Sequence, residues 1–86
     1  MGDNALLISS QKGEMRTVMY LIEDALVKFN QTNKNGDSAL LKAAYWNRME
    51  VIRYLVEEKS VHLYQENNNG YNCLLIAAKW GFLELI

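Results

Sequence analysis

The chain has 86 residues, half of them hydrophobic and 22% charged, with a formal net charge of −1. That bounds it to one small globular domain, and its scattered basic residues exclude general attraction to nucleic acid or membrane. A single cysteine, Cys73, rules out an internal disulfide framework and points to a reducing, intracellular and cytoplasmic setting, while no run of about 18 apolar residues could span a membrane. The N-terminus MGDNALLISSQKG lacks the basic start and apolar length of a secretory signal. Leu6 stands where a myristoylation motif needs serine or threonine.

The first predicted element opens at Asn4, whose side chain can accept the free N–H groups of a helix over Ala5–Lys12. Gly13 closes that helix. A second helix follows, with Met15, Val18, Leu21, Ile22, Ala25 and Leu26 as its apolar face. From Lys28 to Asp37 the chain is polar, and Asn35-Gly36 signals a tight turn. Ser38 then caps a short helix over Ala39–Trp46, whose buried side is Leu40, Leu41, Ala43 and Ala44. Asn47 ends it in a left-handed conformation. Met49 to Glu58 form the next helix, with Val51, Ile52, Leu55 and Val56 on one face. After a second polar stretch, Lys59 to Tyr71, with its turn at Asn69-Gly70, Asn72 caps a helix over Cys73–Trp80 and Gly81 closes it.

These elements recur at a period of 34 residues: Gly2, Gly36 and Gly70; Leu6, Leu40 and Leu74; Leu7, Leu41 and Leu75; Gly13, Asn47 and Gly81. Such a period marks a stacked repeat array, here an all-α solenoid of helix-turn-helix units joined by hairpin-like loops. The units are 1–34, 35–68 and a partial 69–86. The run NGDSALLKAAYWNRMEVIRYLVEE resembles the ankyrin signature. Gly36 matches its turn glycine, Ser38 its capping threonine, Leu40, Ala43 and Ala44 its helix core, and Val51, Ile52 and Leu55 its second helix. Gly70, Leu74, Ala77, Ala78 and Gly81 match in the third unit. The first unit is weaker, with Ser9 and Ser10 in place of the alanines. The chain departs from the family at Ala5, Ala39 and Cys73, where proline is usual, and at Leu7, Leu41 and Leu75, where histidine is usual. Each full unit also has one extra residue before the turn.

The resemblance implies a non-enzymatic protein–protein interaction module with no cofactor, metal, nucleic-acid or membrane partner. It implies a concave binding face of short-helix ends and loop tips. The matching positions are Gln11, Lys12, Tyr45, Trp46, Lys79 and Trp80 on the helices, and Lys34, Asn35, Asp37, Asn68, Asn69 and Tyr71 on the loops. Tyr45, Trp46 and Trp80 are the expected anchors, since exposed Trp and Tyr are typical of interfaces. Three other readings stand beside this one. The aromatics, with Glu50 or Glu84, could cage a methylated lysine. Cys73, at the first turn of a helix, could be an activated thiol that senses oxidants. The chain could also be a purely architectural segment of a larger protein. His62, the only histidine, has no partner that would make it a base or metal ligand.

The first unit suits the start of an array, because Ser9, Ser10, Gln11 and Lys12 would give it a polar outer side. Phe82, Leu83, Leu85 and Ile86 leave the last unit apolar and open. The expectation is a piece of a longer array, or a chain that self-associates through that C-terminal end.

Overall fold

A computed structural model describes residues 3–81, the side chain of Trp80 excepted. Three short helices, α1 (Ala5–Lys12), α3 (Ala39–Tyr45) and α5 (Cys73–Trp80), lie side by side as an inner layer. Behind them pack α2 (Met15–Met19), continued by a π turn over Tyr20–Asp24, and α4 (Met49–Arg53), continued by a π turn over Tyr54–Glu58. No strand occurs among the described residues.

The inner helices start where their caps dictate. The side chains of Asn4, Ser38 and Asn72 accept the N–H groups of Leu7 (2.9 Å), Leu41 (3.3 Å) and Leu75 (2.9 Å). Each such cap is worth about 1 kcal/mol. The chain turns left-handed at Gly13, Asn47 and Gly81, the same position of each repeat. In α3 the last helical residue is Tyr45, one residue short of the expected end, and Trp46 forms the C-cap.

Apolar burial joins the two layers. Leu6, Leu7, Leu40 and Leu41 on the inner helices meet Val18, Ile22, Val51, Ile52 and Leu55 on the outer ones, all of them buried. A fully buried leucine contributes roughly 1.5–3 kcal/mol. Ala43 and Ala44 are buried completely and let neighbouring helices approach closely. Between the outer helices the Tyr54 hydroxyl donates to the Glu23 carboxylate. Burial first, and that bond second, push the Tyr54 phenol above its ordinary value.

Both outer helices widen at the same place. Ala25 donates to the Tyr20 carbonyl (2.9 Å) and Lys59 to the Tyr54 carbonyl (3.2 Å), five residues back. A π turn holds more residues than an α turn, so it absorbs length in a unit one residue longer than the usual ankyrin repeat of about 33. This geometry corrects the apolar face expected for the first outer helix. Leu26 is 77% exposed with φ 57°, matching Ser60 at φ 57° one repeat later. Ala25 is exposed as well. Both residues fall beyond the π turn, in the segment that closes the helix.

The loops are held by two buried asparagines. The side-chain oxygen of Asn33 accepts the N–H groups of Asn35 (2.9 Å) and Asp37 (3.0 Å), while its amide nitrogen donates to Asp3 (2.7 Å). One repeat on, the Asn67 oxygen accepts from Asn69 (2.9 Å) and Tyr71 (3.0 Å), and its nitrogen donates to Asp37 (2.9 Å) and to the Tyr45 hydroxyl (3.1 Å). Each amide therefore closes its own loop and ties it to the preceding unit. The loops also dock directly: Asn68 donates its N–H to the Asn35 carbonyl (2.9 Å) and its side-chain amide to the Lys34 carbonyl (2.8 Å). Lys42 completes the first junction with an ion pair to Asp3 at 3.1 Å. The bond from Asn33, together with Lys42, holds the Asp3 carboxyl below its ordinary value.

Ser9 and Ser10 correct the expected polar outer side of the first unit, since both are buried. The Ser9 hydroxyl donates back to the Ala5 carbonyl (2.9 Å). The Ser10 hydroxyl is fully buried and has no hydrogen-bond partner among the described residues. The apolar residues Phe82, Leu83, Leu85 and Ile86 lie outside the described residues.

Two stability measurements follow from this packing. Gly36 and Gly70 share a left-handed φ, +79° and +81°, but a Cβ on Gly36 would lie 2.8 Å from the Asn68 backbone nitrogen, whereas one on Gly70 meets nothing within 4 Å. Both substitutions carry the left-handed penalty of roughly 1–2 kcal/mol. Only Gly36→Ala must also break the loop–loop bonds, so urea unfolding should show it about 1–2 kcal/mol less stable than Gly70→Ala. Ser10→Ala removes an unsatisfied buried hydroxyl at the register of Ala44 and Ala78, and should raise stability by roughly 1 kcal/mol, or about 4–8 °C in Tm.

Candidate functional site

The repeat places the ends of the inner helices in register, as Gln11-Lys12, Tyr45-Trp46 and Lys79-Trp80. Adjacent helices in contact stand about 8–10 Å apart, so these pairs form a row. Lys12 and Lys79 are exposed, and Trp46 is 55% exposed. The Trp80 side chain lies outside the described residues. Gln11 is partly buried, and its backbone carbonyl accepts the Arg48 guanidinium Nε–H at 2.8 Å. Arg48, which sequence reasoning did not single out, thus caps the carbonyl end of α1, where positive charge suits the helix dipole.

Tyr45 and Trp46 have different roles. The Tyr45 ring packs against the core and its hydroxyl accepts the Asn67 amide. Burial, then the Asp37 charge, push its phenol up. The indole beside it is left to solvent.

The loop positions also divide. Lys34, Asn35, Asn68 and Asn69 are exposed at the tips. Asp37 is 6% exposed and accepts the Asn67 amide, so its carboxylate belongs to the junction between loops rather than to an open surface. Tyr71 is partly buried, with the Lys79 ammonium 5.3 Å from its ring centroid. Asn33 and Asn67, which hold this arrangement, were missed at the level of sequence. Their signal was their own 34-residue spacing, two residues ahead of each Asn-Gly pair.

The alternative chemistries are placed as follows. Cys73 is fully buried and its thiol donates to the Leu63 carbonyl at 3.1 Å. Burial raises its pKa, and this outweighs the first-turn backbone bonds. The activated-thiol reading therefore fails: the group is kept as a neutral thiol, out of reach of solvent. The proposed cage falls partly outside the described residues, at Trp80 and Glu84, and Tyr45 has its hydroxyl engaged. His62 is exposed on the return loop, its ring 6.1 Å from that of Tyr64. Among the described residues no group of three His, Cys, Asp or Glu side chains could hold a metal ion. Nor is any described helix long and apolar enough to cross a membrane.

No curated protein matches the sequence. Solved structures match its fold along nearly its whole length. One is a chain from the structure of the complex between the yeast ribosomal protein Rps3 and its chaperone Yar1, with TM-score 0.86 and 24% identity over 95% of this chain and 61% of that one. Another is a chain from the structure of the complex between the Bd0816 predatory endopeptidase from Bdellovibrio bacteriovorus and immunity protein Bd3460. Its TM-score is 0.84 and its identity 23%, over 98% of this chain and 43% of that one. A third is an ankyrin repeat domain from Acinetobacter baumannii AYE, with TM-score 0.80 and 28% identity over 96% of this chain and 44% of that one. The chain thus spans 43% to 61% of the length of these solved chains. The family model described as Ankyrin repeats (3 copies) matches residues 6–86. With its capped inner helices, left-handed helix ends and stacked turn loops, the chain belongs to the ankyrin-repeat family.

Proposed function

We propose that this chain is a non-enzymatic module that binds a partner protein on its inner face, along the row of helix ends and the loop tips. Ankyrin repeats are generally protein–protein interaction modules, and two of the similar solved chains come from complexes between proteins. The observation that carries the reading is Trp46. A large indole is left 55% exposed at the end of a helix whose other aromatic, Tyr45, is fastened to the scaffold. Burying such a side chain on association supplies anchor energy, while the locked loops around it lose little conformational freedom.

The contact set follows from the accessible positions: Lys12, Trp46 and Lys79 on the helices, with Lys34, Asn35, Asn68 and Asn69 on the loops. Asp37 supports it from beneath. Trp46→Ala should weaken a partner recovered on the wild-type chain by about tenfold or more, with far-UV circular dichroism unchanged. An unchanged affinity measured by titration calorimetry would remove the anchor.

A further inference from the structure

Exposed charge on this molecule is sorted by layer. In α1, α3, α5 and the two loops, the exposed charged side chains among the described residues are Lys12, Lys34 and Lys79, with Lys28 and one carboxylate, Glu66, earlier in the loop segments. Two carboxylates of that layer are engaged inside it. Asp37 is buried against the Asn67 amide, and Asp3 is bound by Asn33 and Lys42. Most exposed acids lie on the opposite layer, where Glu23, Asp24, Glu57 and Glu58 end the two outer helices and, with Glu50, outnumber the exposed Arg16 and Arg53. A net charge of −1 therefore conceals an excess of exposed lysine on the inner face and of exposed carboxylate on the outer one.

We infer that the partner segment is an acidic polypeptide that lies along the inner face, its carboxylates meeting Lys12 and Lys34 and an apolar side chain covering Trp46. This rests on the inner-face reading and adds the chemistry of the occupant. The eight-residue α1 is about 12 Å long at 1.5 Å per residue, so Lys34 at a loop tip and Lys12 at a helix end bracket a span that a short peptide covers. The exposed amides of Asn35, Asn68 and Asn69 can donate to and accept from a peptide backbone. A nucleic acid suits the face less well. The arginine at the row of helix ends, Arg48, has its Nε–H committed to the Gln11 carbonyl, and arginine is the residue that forks onto phosphate. The lysines also stand on separate elements rather than tracking a backbone. Complementary charge of this kind speeds encounter and selects partners more than it sets affinity.

The test is selection of a random 16-residue peptide library on the full chain, followed by titration of the winners. Acidic peptides should be enriched. Their binding should fall about tenfold or more in Trp46→Ala and roughly three- to tenfold in each of Lys12→Glu and Lys34→Glu at low salt. It should stay the same in Arg16→Glu on the outer layer, and weaken as salt rises from about 50 to 200 mM. Circular dichroism verifies that each variant folds. Winners that need Trp46 but show no acidic enrichment would overturn the charge assignment and leave the inner-face reading standing. Winners indifferent to Trp46, or a selection with none, would overturn both. Tighter binding of a single-stranded thymidine oligonucleotide than of the acidic peptides would assign the face to nucleic acid instead.

Discussion

The inner face depends on two buried side-chain amides. Asn33 and Asn67 each close a turn by accepting two backbone N–H groups, and each ties that turn to the unit before it through an aspartate. A buried amide left unsatisfied would cost about 1–3 kcal/mol, so the full set of bonds is a condition for burying them. Histidine is usual at the positions of Leu7 and Leu41, and here those positions are apolar and fully buried. The polar work of ordering the loops has passed to the asparagines, and the leucines have joined the core.

That division of labour shapes the surface. Asp37 and Tyr45 are drawn into the junction by Asn67, which leaves Trp46 and the lysines as the accessible chemistry. Stacking also sorts charge, because the carboxylates near the inner layer are the acceptors that hold successive units together. With Asp3 and Asp37 drawn in this way, exposed lysines outnumber exposed carboxylates on this face even though the chain carries a slight negative charge.

Much of the fold was legible in the sequence because it is local. Helices α1 and α5 begin and end where Asn4, Gly13, Asn72 and Gly81 indicated, since a cap and a left-handed residue act within one turn. The role of Asn33 and Asn67 was not legible, because their partners lie 30 residues away and an Asn-rich stretch also reads as solvated loop. Asp37 was misread for the same reason. Leu26 has the hydrophobicity of a core residue, but the π turn ahead of it rotates it out of register. Ser10 was taken for surface because serine usually is, and only the stack shows it buried. Lys12 and Trp46 stand out in the sequence through the repeat itself, at positions where stacking does not dictate the residue. The charge sorting needed each residue's layer and exposure.

Amide hydrogen exchange of the wild-type chain and Asn67→Ala tests the central claim, that one buried amide orders the loop beneath the face. The account predicts that Asn69 and Tyr71 are protected in the wild type and exchange much faster in the variant, with the Leu41 and Leu75 amides at the helix caps little changed. Equal exchange at Asn69 and Tyr71 in the two proteins would contradict it.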